Sequence, residues 1–473
     1  MKQILKIFLF TGVLGMCLLG RAEAIESPVV NKEAVHPNSP FDVFFQKMDP
    51  KQHYVHVLDI GDEALLSRIH LIRSAQKSIL IQTFIWTNDE TGRYVVYELL
   101  KAAKRGVRVL IVVDRWKSDN ATQLVAFMSS VHPNMEVKTY NPAAKQIKPS
   151  TLRFIPEMLV KFKQVNQRMH NKVLIVDGRV AITGGRNYEN DYYDRGVTRN
   201  FKDRDILVIG PVVKDITDSF AEYWNFEWSI TSEDLIDISR LIKDNRFEHF
   251  DSRESFRVGN LFDDTDRLAD DFDHIQKIFI EELYPVEKVQ FVFDKPGKND
   301  HFGLKGGGDA TVELAKILFE AKDSIVAQTP YLVLDQTTVD GVKQLRAKNP
   351  DIDILISSNS LAATDNIYAY SFSYKQKKLF VEGLRFRIFE FKPVPKDIVQ
   401  MMPRYALLLN GNGHRDDDES VDSLFQEKDM NTTESDQRHL CVHAKSFVID
   451  DSVAWVGSFN LDPRSLHLNT EVG

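Results

Sequence analysis

The sequence predicts an α/β protein built from two similar halves, each a mixed β-sheet flanked by helices, with one active site at the pseudo-twofold interface between them. Two observations predict this arrangement. The pattern His-x-Lys-x4-Asp-x6-Gly-x2-Asn occurs twice, beginning at His170 and at His443. Residues 62–86 also align with residues 308–332 at a constant offset of 246. Because each repeated half carries one copy of the motif, we expect both copies to meet in a single site.

The order of elements is the same in both halves. Hydrophobic periodicity predicts helix, strand, helix, strand and then the motif, which is typical of helices covering a mixed sheet. Gly106 and Gly383 lie where the helices of the two halves should end. The predicted strands are 78–82, 108–114, 324–329, 352–357 and 384–390.

Each motif predicts a β-hairpin. In the first copy an Asp-Gly dipeptide separates two apolar runs, which predicts a two-residue turn and makes Asp177 a turn or scaffold residue. If residue 176 pairs with 179, Gly185 falls opposite His170 and Asn187 lies on the same face one step further.

The second copy predicts the same hairpin register. An Asp-Asp turn begins at Asp450, which is again a predicted scaffold residue. Ser458 then falls opposite His443, and Asn460 lies beyond it.

The residues of the two motifs suit phosphoryl chemistry. Lys172 and Lys445 stand two residues after the histidines and therefore share their strand faces. Of two imidazoles, one can be a neutral nucleophile while the other donates a proton to the leaving oxygen. The lysines would neutralise the phosphoryl oxygens, and small Gly185 would admit the substrate. Further hydrogen bonds would come from Asn187, Asn460 and Ser458. A single copy would more often be an ordinary pair of strand residues, but the duplication favours a site.

Longer strings carry a family resemblance. They are RMHNKVLIVDG, GGRN and HAKSFVIDDSVAWVGSFNLDPRSLHLNTEVG. In these the chain resembles the phospholipase D superfamily, in which two such motifs meet between similar halves, and within it the bacterial cardiolipin synthases, nearest the C type. The resemblance implies phosphatidyl transfer through a phosphohistidine, without metal or other cofactor. It favours His170 as the nucleophile and His443 as the acid, and the reverse assignment stays open.

The resemblance also assigns an acid on a later strand to orient each motif histidine. The matching positions are Asp205 and Glu471. Asp205 could instead be a surface acid paired with Arg204. Glu471 lies two residues before the last residue, so a frayed end would leave His443 poorly oriented.

Three activities remain open besides the preferred cardiolipin synthase-like transfer. They are hydrolysis of phospholipids, a phosphodiesterase or nuclease activity, and lipid binding without catalysis. The net charge of −8 argues against a nonspecific nuclease, because nucleic-acid binding needs a basic groove. Basic residues do flank the first motif and would serve a lipid headgroup equally well: Lys161, Lys163, Arg168, Lys172 and Arg186. The expected substrate is phosphatidylglycerol or a similar phospholipid, without a nucleic-acid partner.

The remaining expectations concern organisation and location. Residues 1–24 read as a signal peptide that directs export to the bacterial periplasm or the periplasmic face of the membrane, with secretion beyond the cell as the alternative. The first half is then 25–239, a connector with a helix around 266–283 is 240–300, and the second half is 301–473. By symmetry with the first half, the second ends within a strand, so we expect a truncation that leaves apolar surface exposed.

Three further segments carry expectations. An insertion at 411–438 is expected to form a solvated loop. Residues 154–160 and 398–402 combine Met, Leu and aromatic residues with nearby lysines, so they could contact a membrane surface, with core packing as the alternative. Cys441 is expected to be a small packing residue.

Overall fold

The computed structural model describes residues 39–115, 121–298, 305–406 and 439–473. The predicted signal peptide 1–24 and the predicted loop 411–438 lie outside the described residues. Within the described residues no helix is both long and apolar enough to cross a membrane.

The first half is formed by a nine-stranded mixed sheet and its helices. Its strands are β1 (His53–Leu58), β2 (Ser78–Thr83), β3 (Arg108–Asp114), β4 (Met135–Tyr140), β5 (Val173–Val176), β6 (Val180–Gly184), β7 (Arg199–Lys202), β8 (Asp205–Ile209), β9 (Ser229–Thr231) and β10 (Tyr284–Val286), of which β7 lies apart from the large sheet. The spatial order is β10-β1-β8-β6-β5-β2-β3-β4-β9. Strands β2, β3 and β4 are parallel, and β5 of the motif hairpin pairs antiparallel with β2 on one side and with β6 on the other.

Ten helices accompany these strands in the described residues. They are α1 (Pro40–Lys47), α2 (Gly61–Ser74), α3 (Glu90–Lys104), α4 (Thr122–Ser130), α5 (Thr151–Val160), α6 (Phe162–Asn166), α7 (Val212–Asn225), α8 (Ile236–Lys243), α9 (Asp263–Ala269) and α10 (Phe272–Ile275). Helix α3 begins where the Asp89 carboxylate accepts the N–H of Gly92, and it ends before Gly106, which has a left-handed φ of 100°.

The second half repeats this plan with fewer strands. Its five-stranded sheet has the order β13-β12-β11-β15-β16, with β11, β12 and β13 parallel. The elements are α11 (Asp309–Glu320), β11 (Ser324–Gln328), α12 (Gln336–Lys348), β12 (Asp353–Asn359), α13 (Ile367–Lys378), β13 (Arg387–Phe391), α14 (Ile398–Met401), β14 (His439–Val442), β15 (Ser446–Ile449), β16 (Val453–Val456) and α15 (Pro463–His467).

The duplication predicted from the sequence is present in the strand pairing. Ile79 of β2 pairs with Val176, and Ile325 of β11 pairs with Ile449 at the equivalent place. The two halves also share a small parallel sheet, in which β14 of the second half pairs with β7 of the first. This pairing brings the segment before His443 onto the first half.

The predicted hairpin register is wrong by one residue. Val176 pairs with Val180 and Ile449 with Val453, so each turn has three residues instead of two. The reason is that Asp177 adopts a left-handed φ of 53° and its carboxylate accepts three N–H groups from residues 76–78. Gly185 and Ser458 therefore do not lie opposite the motif histidines.

The connector differs from the single helix predicted around 266–283. That region is divided between α9 and a second helical stretch, in which α10 continues as a π-helix over Gln276–Ile280, because Asp271 caps a new helix by accepting the N–H of His274. The chain then returns as β10 to the edge of the first sheet, beside β1. This part of the connector therefore packs as part of the first half.

The two sheets differ in how their outer faces are covered. In the first half, α7 packs on Leu80 and Ile175, which are 4% and 0% exposed. The equivalent side chains of the second half, Val326 and Val448, are 43% and 39% exposed. The second sheet thus has an exposed apolar face.

Candidate active site

Each motif histidine lies in an extended segment that is held by the backbone of the other half. The N–H of His170 donates to the carbonyl of Thr470 at 3.0 Å, and the N–H of His443 donates to the carbonyl of Lys202 at 2.9 Å. Both imidazoles are buried. The two motifs therefore meet at the interface between the halves.

A buried carboxylate from the opposite half binds each imidazole. Glu471 Oε2 lies 2.8 Å from His170 Nδ1, and Asp203 Oδ2 lies 2.6 Å from His443 Nδ1. A proton on Nδ1 that is donated to a carboxylate leaves Nε2 as the nitrogen available for chemistry. The orientation of both imidazoles thus depends on a crosswise exchange of acids.

This exchange corrects two expectations. Glu471 was predicted to orient His443, but it contacts His170. The acid on His443 is Asp203, in the link between β7 and β8, and not Asp205. Asp205 begins β8, where its carboxylate accepts from Arg68 at 2.8 Å. It is neither a histidine partner nor a surface acid paired with Arg204.

The C-terminal segment is not frayed in the structure. The N–H of Glu471 donates to Asp294 at 2.9 Å, and the N–H of Ser458 donates to the carbonyl of Val472 at 2.9 Å. The carboxylate of Glu471 also accepts from the hydroxyl of Ser458. These bonds hold the acid beside His170.

Gly185 and Ser458 support the acids and do not face the substrate as predicted. A Cβ on Gly185 would lie 2.1 Å from a carboxylate oxygen of Asp203, so glycine provides the room that this carboxylate needs. Ser458 occupies the equivalent position in the second half, where its hydroxyl instead bonds the carboxylate of Glu471.

The two motif lysines are buried against their histidines. Lys172 Nζ donates to the carbonyl of His170 at 2.7 Å, and Lys445 Nζ donates to the carbonyl of His443. Lys445 Nζ also lies within 3.1 Å of the imidazole of His443. Because Nδ1 of that ring binds Asp203, the ammonium acts on the ring as a neighbouring charge.

Burial sets the protonation of these groups. It lowers the pKa of Lys172 to about 7 and also lowers the pKa of Lys445. Burial, together with the charge of Lys445, lowers the pKa of His443 to about 4, and burial lowers the pKa of His170. An anionic phosphate bound between these groups would raise all four pKa values. The site can therefore hold a neutral histidine as nucleophile, and its other groups can take up protons when the phosphate binds.

The motif asparagines have different surroundings. Asn187 accepts the N–H of Ile85 and donates to the hydroxyl of Tyr192 at 2.8 Å. That hydroxyl lies 3.5 Å from His443 Nε2, so Asn187 reaches the other half through a tyrosine that the sequence pattern gave no reason to select. The side-chain oxygen of Asn460 is buried and has no hydrogen-bond partner within the described residues.

Basic residues near the first motif are largely used inside the protein. Arg168 is buried and binds Asp114 at 2.6 Å, and Asp114 also accepts the N–H of Met169. Arg186 is buried and donates to backbone carbonyls, among them that of Asp203. These two arginines therefore fix the segment that carries His170 and the acid Asp203, and they do not form a basic groove.

The scaffold aspartates and Cys441 have structural surroundings. Asp450 accepts the N–H groups of residues 322–324, as Asp177 does at 76–78 in the first half. Cys441 is free and buried in β14. Among the described residues there is no cluster of three or more His, Cys, Asp or Glu that could hold a metal ion.

Comparison with known proteins gives concordant matches. The family model described as cardiolipin synthase, PLD-like domain, matches residues 68–224 and 314–473. Cardiolipin synthase C of Escherichia coli (strain K12) is 30% identical over 429 residues, covering 90% of this chain and 81% of that protein. An uncharacterized protein of Helicobacter pylori is 30% identical over 476 residues, covering 99% of this chain and 84% of its own length.

Among solved structures, the phosphatidylserine synthase of Haemophilus influenzae Rd KW20 is similar in fold. It superposes with a TM-score of 0.53 at 14% identity and covers 89% of this chain and 83% of that chain. At this level of identity the likeness concerns the fold.

Proposed function

The chain belongs to the cardiolipin synthase family of phospholipase D-like enzymes, and on that premise we propose that it transfers a phosphatidyl group between phospholipids through a phosphohistidine. The preferred reaction joins two phosphatidylglycerol molecules into cardiolipin and releases glycerol. The observation that carries the proposal is the pair of buried imidazoles, each oriented by a carboxylate of the opposite half.

In the first step, His170 Nε2 attacks the phosphorus of phosphatidylglycerol. The new N–P bond forms as the P–O bond to the headgroup glycerol breaks, and His443, protonated when the anionic phosphodiester is bound, gives its Nε2 proton to that oxygen. Lys172 and Lys445 lie beside the two histidines and stabilise the charge on the non-bridging oxygens. The assignment of the nucleophile follows the resemblance.

In the second step, a hydroxyl of another phosphatidylglycerol enters. Neutral His443 takes its proton while the oxygen attacks phosphorus, and the N–P bond to His170 breaks. The burial of both rings favours transfer over hydrolysis, because water is restricted around the intermediate.

The reaction is tested with purified protein and vesicles of labelled phosphatidylglycerol. We expect labelled cardiolipin and free glycerol, and neither with His170→Asn or His443→Asn. Formation of phosphatidic acid alone would show that hydrolysis is the reaction. Nicking of a plasmid without lipid turnover would refute the lipid reaction.

We propose that the enzyme meets its substrate at a membrane surface through α13 and α5. Helix α13 exposes Ile367, Tyr368 and Phe372, which are 59%, 79% and 59% exposed, and carries lysines in its last turn. Asp365, just before this helix, raises the pKa of His443 and of Lys445 against the effect of burial, so α13 begins beside the site. Such a mixture of aromatic, aliphatic and basic side chains suits an anionic interface.

The two segments that the sequence suggested for membrane contact differ in their exposure. In α5 the side chains of Leu159 and Val160 are exposed, which supports a surface role for 154–160. Ile398 and Met402 are buried with Leu440, so 398–402 packs in the core instead.

Membrane contact is tested by flotation with phosphatidylglycerol vesicles. We expect the double variant Tyr368→Ser/Phe372→Ser to bind several-fold less protein to vesicles. Tyr284→Ser is the matched control, because Tyr284 is an exposed aromatic residue on β10, in the first half. Equal binding by all three proteins would exclude α13 as the contact.

We also propose that the protein acts after export, at the periplasmic face of the membrane. The support is the sequence of residues 1–24, with a basic start, an apolar run and an Ala-x-Ala cleavage site. Fractionation of a producing bacterium should place a chain that begins at Ile25 outside the cytoplasm, and a full-length cytoplasmic chain would refute export.

A further inference from the structure

An apolar pocket of about 580 Å³ opens between α11 and α12 in the second half. Its volume lies within the roughly 300–1,000 Å³ that small-molecule sites occupy. Its inner wall is formed by aliphatic and aromatic side chains of both helices and of the sheet, and polar residues such as Asp340 and Gln344 stand at its mouth.

In the first half, bulky side chains occupy the positions equivalent to parts of the pocket lining. Trp86 stacks on Tyr188 with ring centroids 4.4 Å apart. Leu332 and Leu461 replace them in the second half, and the structure confirms the equivalence, since each pair forms the same isolated parallel bridge. Both leucines line the pocket.

Two buried arginines of the first half are also replaced by apolar residues. Arg68 and Arg186 bind Asp205 at 2.8 and 3.3 Å. Their counterparts, by the offsets of the repeat and of the motif, are Leu314 and Phe459, which line the pocket. Where the first half has these buried arginines, the second half has apolar side chains that form part of the pocket wall.

The residues that join the two helices also differ between the halves. In the first half Arg73 of α2 binds Glu98 of α3 at 2.9 Å and holds the two helices together. The equivalent residues are Phe319 and Gln344, which cannot form an ion pair. The mouth of the pocket lies between these two helices.

We propose that this pocket binds one acyl chain of the phospholipid, an inference that rests on the proposed function. Phe459 and Leu461 line the pocket and flank Asn460 of the second motif, so one segment of chain forms part of both the pocket wall and the motif. A protein interior ordinarily has few voids larger than a water molecule, and an apolar cavity of this size is suited to an apolar ligand. An acyl chain held there lies beside the motif that handles its phosphate.

Gly341 of α12 offers a direct test. It lines the pocket, and a Cβ at this position meets nothing within 4 Å, whereas its first-half counterpart is the buried Val95. Gly341→Leu should fill the pocket while the unfolding temperature stays the same or rises, because leucine favours a helix more than glycine does. Lys343→Leu is the matched control, since it adds the same side chain to the exposed face of the same helix outside the pocket.

The probe is cis-parinaric acid, a fluorescent fatty acid, added to the full-length protein. We expect Gly341→Leu to weaken its binding at least about tenfold, and Lys343→Leu to bind as the wild type does. Unchanged binding by Gly341→Leu would overturn the inference. So would a wild-type protein that binds no probe and forms a dimer that Gly341→Leu dissociates, because the groove would then be an interface between two copies.

Kinetics separate this inference from the proposed function. With long-chain phosphatidylglycerol, Gly341→Leu should raise KM about tenfold with kcat retained, and with dihexanoyl phosphatidylglycerol it should match the wild type. Equal KM values for the two proteins on the long-chain lipid would overturn the acyl site. A wild-type protein that binds the probe but turns over no phospholipid would refute the proposed function and leave the acyl site supported.

Discussion

At the scale of single residues, the orientation of the two imidazoles depends on Asp203 and Glu471. The sequence presented Asp203 and Asp205 two positions apart, with the same strand parity, so spacing could not distinguish them. The distinction is physical: Asp203 fits against Gly185, while Asp205 is neutralised by Arg68. The motif histidines and lysines could be identified from the sequence because their spacing is repeated, whereas Tyr192 belongs to no repeated pattern.

Asp203→Asn should impair catalysis much more than folding. The amide cannot hold the imidazole of His443 in the same tautomer, so we expect kcat to fall by roughly 10²–10⁴-fold with a small change in unfolding temperature. Asp205→Asn is the comparison. It leaves Arg68 without its buried charge partner and should cost about 3–5 kcal/mol of stability, with kcat of the folded fraction largely retained. Equal losses of kcat in the two variants would contradict these roles.

The buried imidazole of His443 predicts a stability that falls in acid. Its pKa is about 4 in the folded protein and near 6.5 when unfolded. Between these values the unfolded chain binds more protons, so the free energy of unfolding decreases as pH falls through this window. The expected loss is about 2 kcal/mol between pH 7 and pH 5.

Urea unfolding of wild type and His443→Gln at both pH values measures this contribution. The variant should lose about 2 kcal/mol less than the wild type on acidification, because glutamine does not titrate. If the two proteins lose the same stability, His443 is not buried in its neutral form.

At the scale of elements, the strands and the repeat were predictable because their apolar runs are continuous and recur at a fixed offset. The hairpin register was not, because it depends on an aspartate that binds a loop distant in sequence. The prediction of a single connector helix was also wrong, since the cap at Asp271 interrupts an otherwise helical stretch. Local periodicity therefore identified the elements, while contacts between elements decided their register and ends.

The turn of the second hairpin tests this explanation. Asp450 and Asp451 both have left-handed φ angles, of 49° and 51°, so replacement by alanine costs both the same backbone strain. Only the Asp450 carboxylate accepts the three N–H groups of residues 322–324. Asp450→Ala should therefore be less stable than Asp451→Ala by about 1 kcal/mol in urea unfolding. Equal stabilities would mean that the carboxylate does not anchor the hairpin.

At the scale of the whole molecule, the two halves of the duplication differ in how their sheets and helices are packed. The first half is closed by the Trp86–Tyr188 stack, by buried arginines and by α7 and α9 on its two faces. The second half retains the motif but has an open pocket and an exposed sheet face. The sequence predicted two halves and a shared site, yet the exchange of acids between them follows from how the halves dock, which no local pattern encodes.

The central claim is that one histidine from each half acts on a single phosphorus. It is tested most directly with a phosphatidyl ester of p-nitrophenol, whose leaving group needs no acid. We predict a burst of one p-nitrophenol per chain and a phosphatidyl adduct on His170, which His443→Asn retains without turnover and His170→Asn abolishes. Two independent sites, with each single variant retaining about half of the turnover, would contradict the claim.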